Sequence, residues 1–471
     1  MYFSQSLFFL SLIATAISLS SGKHNHHSHS HKRRGPSDAG QTSPATTLAP
    51  RSTAWWTSSA KPTGSKKWVF AHFIVGNAYS YTDAQWSNEI RSAAAQGIDA
   101  FILNLGTDSW QPAQVDRAYT AAAHNGFHMF FSFDMTVISC SDTTIIPGNI
   151  AKYANHPAQL KDSNGASFVT TFNGGAGCKD NAQWMEVVKN SGIQTKFVPA
   201  FFDDLTSVTL KSVYNSINGD TLWGGAWPKG NNPIDWSEDN YRISRNGLQR
   251  PTPDFYMTTV APHFHVHWPG RNYIWRFDDH LYVSRWQLLV QKRALVDAAE
   301  IISWNDYGES TYIGPIGKDL PAGSSSWVTG FDHTAFLAMT GYWTSYFKTG
   351  KAPTIIHDKI FIWGRPHGVN DSPTQGDAAG RPQNADWVSD KLWIVLFSTG
   401  AGTLQVTQGS SSSTYQVVGG VNKLSMPLGV ANDATAVLTR HGHQVFHFNA
   451  LIAFSHSTPH YNFNTRVASG P

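Results

Sequence analysis

The chain has 471 residues, of which 13% are aromatic, including 18 Trp, and 14% are charged. This length allows two domains, or one large domain with a smaller companion. The formal net charge of +3 depends on residues 1–34, which hold four basic and no acidic residues; beyond them 31 basic residues face 32 acidic ones, and this balance argues against nucleic acid or an anionic membrane as a partner.

The N-terminus is typical of a secretory leader. Residues 7–19 are apolar but too few to cross a bilayer, and small residues follow at 20–22. A buried core helix is the alternative. Residues 23–34 are rich in histidine and end in three basic residues, which favours a removed pro-segment over a metal-binding tract. We interpret residues 1–22 as a signal peptide, 23–34 as a pro-segment with a basic processing site and 35–64 as a flexible linker.

The chain contains two cysteines, Cys140 and Cys178. In an oxidising compartment their pairing would close a loop of about 38 residues and contribute roughly 3–4 kcal/mol in the loop-entropy model. A catalytic thiol is the alternative, but one disulfide accounts for both residues. The glycosylation candidate is Asn370, in Asn370-Asp371-Ser372, although Pro373 follows directly.

From residue 68 onward, apolar strands alternate with helical stretches. Strands are predicted at 68–75, 98–105, 128–134, 167–172, 196–202, 222–226, 254–263 and 300–304. Helices are predicted at 82–96, 111–124, 179–190, 279–299 and 331–348. This order predicts an α/β fold, a (β/α)₈ TIM-type barrel over residues 65–352, rather than an open doubly wound sheet. No glycine-rich dinucleotide motif is present, and we expect no cofactor.

The C-terminal part of the sequence loses helical periodicity. Short strands are predicted at 359–363, 391–398, 402–407, 414–418, 436–439, 444–448 and 451–455. Short strands separated by Gly, Ser and Asn-Asp turns predict a β-sandwich accessory domain over residues 353–471. Because no Ser/Thr-rich linker precedes it, we expect it to be docked on the barrel.

The segment Trp304–Ser310 follows the last predicted barrel strand and carries Asp306 and Glu309. Two carboxyl groups three residues apart could face one pocket, and hydrolysis of a glycosidic bond needs two carboxyl groups in different protonation states. A helix-capping acid pair is the alternative. Abundant Trp favours stacking on sugar rings, but a large packed core contains it too.

Polar and aromatic residues also follow the other predicted strands, and catalysis in such barrels gathers at the C-terminal strand ends. The candidate sugar-binding residues are His72, Asn104, Asp134, Asp203, Trp227 and His265. Each alone could be a satisfied polar cap or an exposed loop residue. In an extended chain His263, His265 and His267 would share one face, so a metal site is the alternative, but we favour contacts to sugar hydroxyls and expect no metal.

Three blocks of the sequence, at 69–77, 97–106 and 304–310, resemble in the same order the fungal α-1,3-glucanases called mutanases, family 71 of the glycoside hydrolases. The resemblance covers about residues 66–350. It implies a barrel with a β-sandwich that cleaves α-1,3-glucan within the chain and inverts the anomeric carbon. It also implies that Asp306 and Glu309 are the catalytic pair. We therefore expect a secreted, monomeric enzyme, extracellular or in the cell wall, whose partner is the polysaccharide.

Within the pair we expect Glu309, on the longer side chain, to be the acid and Asp306 to activate water. An inverting enzyme holds its carboxyl groups roughly 6.5–9.5 Å apart, and a retaining enzyme about 5–5.5 Å. We expect Trp227, Trp304 and Tyr307 to stack on sugar rings, and Asn305 to contact substrate. The alternatives are a non-catalytic carbohydrate-binding protein on a barrel scaffold and a metal-dependent hydrolase built on the histidine run.

Overall fold

The computed structural model describes residues 54–62, 65–203, 210–245, 247–248, 250 and 254–471. The predicted signal peptide and pro-segment, most of the predicted linker, and Asp204 lie outside these residues. The chain divides into two units at residues 54 and 55, and the fold below is that of the second unit.

The N-terminal part of this unit contains a parallel sheet of eight strands, which is wound into a barrel. In chain order the strands are Trp68–Ile74, Ala100–Leu105, His128–Asp134, Ser167–Phe172, Thr195–Phe197, Gly219–Leu222, Phe255–Val260 and Ala298–Ile301. The eighth strand pairs with the first, with Ile301 opposite Ala71. Asn218 N donates to Phe197 O (2.8 Å) and so joins the sixth strand to the fifth, which closes the sheet. The predicted barrel is confirmed.

Alternate residues of each strand fill the barrel interior, because successive side chains of a strand point to opposite faces. The rings of Phe70, Phe130 and Phe168 pack together there, with centroids 5.0 Å apart for Phe70–Phe130 and 5.8 Å apart for Phe130–Phe168. Two positions further toward the C-terminal end of the first strand, the same face carries His72. A polar layer therefore lies on the apolar layer at the end of the barrel where catalytic loops gather.

Helices cover the outside of the barrel. They are Asp83–Ala95, Gln111–His124, Ile145–Tyr153, Asn181–Asn190, Leu210–Val213, Ser237–Arg245, Leu281–Gln291, Ser325–Val328 and Thr334–Thr349. Thr82 begins the first helix with a capping box, in which its hydroxyl accepts from Gln85 N while the Gln85 side chain accepts from Thr82 N. No helix among the described residues is long and apolar enough to cross a membrane.

Several predicted elements of the barrel are wrong in their bounds, including the strand predicted at 196–202, which is Thr195–Phe197. The helix predicted at 279–299 ends at Gln291, because the eighth strand begins at Ala298. The sixth strand ends at Leu222, and the predicted strand at 222–226 is mostly a 3₁₀ turn over Trp223–Ala226. Gly225 explains this turn: a Cβ there would lie 2.6 Å from Thr258 Oγ1, so the close approach needs glycine.

The C-terminal part is a β-sandwich of two four-stranded antiparallel sheets, as predicted. One sheet has the order Gly420–Pro427, Lys391–Ser398, Lys359–Gly364 and Arg466–Gly470; the other has the order Ser411–Val417, Gly402–Gln408, Ala434–Arg440 and His443–Ala450. Ile362 and Ile394 pack against Leu404 and Leu438 between the sheets. In the first of these sheets, the strands Gly420–Pro427 and Arg466–Gly470 were not predicted. The strand predicted at 451–455 is not formed.

The outer face of the first sheet packs on the last barrel helix, Thr334–Thr349. Trp363 lies on Phe336, with ring centroids 5.5 Å apart, and Phe397 lies on Tyr342 at 4.9 Å. The sandwich is therefore attached to the barrel through aromatic side chains.

Cys140 and Cys178 form the predicted disulfide, with their Cα atoms 4.9 Å apart. It joins the segments that follow the third and fourth barrel strands, so two neighbouring loops at the C-terminal end of the barrel are covalently linked.

Candidate active site

The loop after the eighth strand brings both predicted catalytic carboxyl groups onto one turn. Ser303 N donates to Thr311 O (3.0 Å) and closes the base of the loop. The Ser303 hydroxyl accepts from Asp306 N (2.7 Å), and Asp306 Oδ1 accepts from Glu309 N (3.0 Å). Asp306 and Glu309 are thus held by short local hydrogen bonds, and both side chains are partly exposed.

The environment of Asp306 favours its protonated form. Burial and the neighbouring charge of Glu309 raise the pKa of Asp306 to about 7, against hydrogen bonds from backbone N–H groups and the positive charge of Arg271. Near neutral pH this carboxyl group is therefore poised to hold or release a proton.

Glu309 lies beside a positive charge. Its carboxylate, 14% exposed, forms an ion pair with the guanidinium of Arg271. Burial opposes the charge of Arg271, but Glu309, Tyr273 and Asp306 together more than offset this and raise the pKa of the guanidinium. The raised pKa of Asp306 therefore favours Asp306 as the proton-bearing group, the reverse of the assignment predicted from side-chain length.

Arg271 reaches Glu309 from a β-hairpin that follows the seventh barrel strand. Its two strands are His265–Trp268 and Arg271–Ile274. The hairpin is fixed to the catalytic loop because His265 N donates to Glu309 O (2.9 Å). Burial and the charge of Glu309 raise the pKa of Tyr273, two residues after Arg271, so its hydroxyl is a neutral donor beside the pair.

A second pair of titratable side chains lies in the polar layer of the barrel. His72 Nδ1 donates to Glu300 Oε1 (2.8 Å), and both side chains are 2% exposed. His72 Nε2 has no hydrogen-bond partner among the described residues. Glu300, on the eighth strand, was not predicted as a site residue. A charged residue inside the apolar run 298–302 was the feature of the sequence that could have indicated its role.

Asp134 and Asn104 also lie at the C-terminal ends of their strands, as predicted. Burial raises the pKa of Asp134, partly offset by hydrogen bonds from the hydroxyl (2.6 Å) and N–H (3.0 Å) of Thr136 and by His72. Asn104 is 8% exposed and pairs with Ile74 of the first strand. The structure therefore brings His72, Asn104 and Asp134 to the same end of the barrel interior.

Trp304 and Tyr307 belong to the core and are not stacking surfaces. Trp304 is completely buried, its Nε1 donates to Glu89 Oε2 (2.8 Å), and its ring packs on Phe101 at 4.9 Å. Tyr307 is also completely buried, and its hydroxyl donates to Pro315 O (2.9 Å). Neither ring has a face available to a sugar.

Asn305 connects two loops rather than binding a ligand. Its Oδ1 accepts from Ile74 N (2.7 Å), and its Nδ2 donates to Ile74 O (3.1 Å). Its own carbonyl accepts from Asn77 Nδ2 (2.9 Å). The amide of this buried side chain is committed to the backbone of the first strand, so Asn305 positions the neighbouring Asp306.

Asp203 and Trp227 also bond to backbone. The Asp203 carboxylate accepts from Ala176 N at 2.8 and 2.9 Å, so it holds the loop after the fourth strand. Trp227 is buried, its Nε1 donates to His263 O (3.4 Å), and its ring packs on Phe264 with centroids 5.4 Å apart. Asn370 is exposed.

The histidine run lies inside the protein. His265 is completely buried, neither ring nitrogen has a partner among the described residues, and the ring stacks on His267 at 5.6 Å. His267 is bonded to Asp377 (2.9 Å) and to Asn272 (2.8 Å). A buried His265 is not available to a sugar. Among the described residues no group of three or more His, Cys, Asp and Glu side chains is arranged to hold a metal ion.

Trp223 is an aromatic residue of the site that the sequence did not reveal. It is partly exposed in the 3₁₀ turn after the sixth strand. Its ring lies between His72 and Phe172, with both centroid distances 4.7 Å. The two glycines that follow Trp223 were the signal of a turn, but the surrounding apolar residues favoured a strand.

Comparison with known proteins identifies the family of the chain. The family model described as glycosyl hydrolase family 71 matches residues 65–471. The chain belongs to this family. It is therefore a glycoside hydrolase, and the resemblance found in the sequence is confirmed.

Three relatives of this family 71 member are fungal enzymes. A glucan endo-1,3-α-glucosidase of Schizosaccharomyces pombe is 34% identical over 391 residues, which cover 81% of this chain and 89% of the relative. A mutanase of Penicillium rubens is 32% identical, covering 86% and 88%. An ascus wall endo-1,3-α-glucanase of Schizosaccharomyces pombe is 30% identical, covering 79% and 88%.

Proposed function

We propose that this family 71 enzyme is secreted and hydrolyses α-1,3-glucosidic bonds within the α-1,3-glucan of fungal cell walls, with inversion at the anomeric carbon. The activities of the three relatives support the substrate, and the ascus wall enzyme supports an extracellular location. The leader-like N-terminus and the disulfide support secretion.

The observation that carries this proposal is the unlike environment of two carboxyl groups on one turn. Asp306 has a pKa raised to about 7, whereas Glu309 is paired with Arg271. Glycoside hydrolysis needs one protonated and one charged carboxyl group. Asp306 and Glu309 meet this requirement, with their roles opposite to those expected from side-chain length.

In the proposed reaction, Asp306 donates its proton to the glycosidic oxygen as the bond to the anomeric carbon breaks. Glu309 accepts a proton from a water molecule, whose oxygen bonds to that carbon from the opposite face of the ring. The proton taken up by Glu309 then returns to Asp306 through solvent. Arg271 holds and orients Glu309 through their ion pair.

The polar layer of the barrel supports a subsite for the sugar at the bond that is cleaved. The buried His72, held in place by Glu300, is proposed to form the floor of this subsite. Asn104 and Asp134 are proposed as hydroxyl partners. Trp223 is the proposed apolar contact.

The test is a product profile on insoluble α-1,3-glucan, with α-1,4-glucan and β-1,3-glucan as controls. We expect oligosaccharides from the α-1,3-glucan alone, with the β-anomer as the first product seen by NMR. A first product of α configuration would contradict inversion. Binding to the glucan without release of sugar by the pure protein would favour the carbohydrate-binding alternative.

A further inference from the structure

Two aromatic side chains meet at the C-terminal end of the barrel, outside the site described above. Tyr79, in the loop after the first strand, is 63% exposed. Trp110, in the loop after the second strand, is partly exposed. Their ring centroids are 5.2 Å apart and their planes are nearly perpendicular, at 85°. We call Tyr79 and Trp110 the aromatic corner.

The backbone beneath Tyr79 is fixed on both sides. Tyr79 O accepts from Gln114 Nε2 (2.9 Å), and Gln114 is itself fixed by the indole N–H of Trp86 (2.9 Å). On the other side, Ser80 N donates to Asp319 Oδ2 (2.7 Å). A residue on a fixed backbone loses less conformational freedom when a ligand covers its side chain.

The loop that carries Trp110 is fixed in a similar way. Gly106 N donates to Gln111 Oε1 (2.8 Å), while Gln111 Nε2 donates to Asp108 Oδ2 (2.9 Å). Gln111 is 3% exposed and directly follows Trp110. The corner is thus a rigid surface feature made by two loops.

The corner continues the catalytic loop around the barrel mouth. The eighth, first and second strands are neighbours in the sheet, so their loops are neighbours too. Asn77, two residues before Tyr79, donates to the carbonyl of Asn305, and Asp306 follows Asn305. On the far side of the catalytic loop lies the hairpin with Arg271. A chain lying across Asp306 and Glu309 and leaving over the first strand would reach the corner.

We infer that the aromatic corner is an outer subsite, which binds a glucose ring of the polymer several units from the bond that is cleaved. This inference rests on the proposed function. The apolar C–H face of a glucose ring stacks on an aromatic face, and Tyr79 offers most of its ring to solvent. A long glucan spans the catalytic site and the corner together, whereas a short oligosaccharide occupies the central subsites alone.

The experiment compares kcat/KM on soluble α-1,3-gluco-oligosaccharides of increasing length with the rate on insoluble α-1,3-glucan. For Tyr79→Ala we expect the ratio of polymer rate to short-oligosaccharide rate to fall about tenfold, and further in the double variant with Trp110→Ala, as for loss of one stacked ring. Tyr79→Phe keeps the ring and should keep the ratio. Tyr241→Ala, which removes a tyrosine 49% exposed on helix Ser237–Arg245, is the matched control.

An unchanged ratio in a folded Tyr79→Ala variant, or equal losses on short and long substrates, would overturn the inference. Thermal unfolding of each variant verifies that it is folded. If Trp110→Ala does not fold, the rate ratio of Tyr79→Ala is sufficient to test the inference. If the wild-type enzyme releases no sugar, the proposed function fails, and binding of the full chain to insoluble glucan tests the corner by itself. Weaker binding by Tyr79→Ala than by Tyr79→Phe supports the corner, and equal binding rejects it.

Discussion

The guanidinium of Arg271 and the carboxylate of Glu309 form an ion pair that joins two neighbouring loops of the barrel mouth. The two residues are 38 positions apart in the sequence. The pair gives Glu309 a fixed positive partner, while Asp306, three residues away, has a pKa raised to about 7.

We expect Arg271→Ala to lower kcat and to displace the pH–rate profile. Without the guanidinium, the two carboxyl groups repel each other with no compensating charge, so the acidic limb of kcat/KM should move up by about one pH unit. Arg271→Lys keeps the charge and should move the limb less. If the Arg271→Ala enzyme has a reduced kcat but an unchanged pH–rate profile, the arginine positions the catalytic loop and does not affect the ionisation of the carboxyl groups.

Asp306→Asn should remove activity by roughly 10²–10⁴-fold and yet stabilise the protein at alkaline pH. Asp306 has a higher pKa in the folded state than in the unfolded state, so the folded state binds more protons between about pH 4 and pH 7. Its contribution to the free energy of unfolding therefore decreases as the pH rises through this range.

The unfolding midpoints of wild type and Asp306→Asn, measured at low and high pH, test this decrease in stability with rising pH. We expect the variant to be more stable at pH 8, by about 1–2 kcal/mol, and the difference to vanish near pH 4. Glu309→Gln serves as the comparison, because loss of its charge should lower the pKa of Asp306. Equal midpoints at both pH values would contradict the raised pKa.

Glu300→Ala should destabilise the barrel and disturb substrate binding together. The substitution leaves the buried His72 without its partner, at an expected cost of about 2–4 kcal/mol. Glu300→Gln retains an acceptor for the His72 Nδ1–H and should recover most of the stability. Thermal unfolding and KM for α-1,3-glucan measure the two effects, and a change in neither would remove Glu300 from the site.

Trp304→Phe and Trp223→Ala should separate a core role from a stacking role. Trp304→Phe leaves the buried Glu89 without the indole donor, so we expect a loss of about 1–3 kcal/mol in stability with little change in KM. Trp223 is partly exposed, and its removal should raise KM more than it lowers stability. A large rise in KM for Trp304→Phe, with stability unchanged, would restore the predicted stacking role.

Much of the barrel could be predicted because local signals were clear. The predicted third strand, fourth strand and second helix match His128–Asp134, Ser167–Phe172 and Gln111–His124 residue for residue. In each, an apolar run or a helical period is bounded by polar or turn-forming residues. The disulfide was predictable because one pairing used both cysteines.

The details of the site depended on contacts between distant segments. The hairpin with Arg271 was not predicted, because an apolar run with three histidines extends the preceding strand in the sequence. The inward orientation of the Trp304 side chain could not be predicted either, because only the folded chain shows that its indole reaches Glu89 on the first helix. Side-chain length suggested Glu309 as the acid, whereas the raised pKa of Asp306 arises from its burial and from the neighbouring Glu309 in the folded chain.

The aromatic contact between Trp363 and Phe336 has a practical consequence for engineering. Deleting the C-terminal β-sandwich would leave several large rings on the last barrel helix facing water, a surface that promotes aggregation. Shortened versions that keep the catalytic loop should be insoluble unless those rings are replaced, and exchange of the sandwich between enzymes would require matching the rings on both sides.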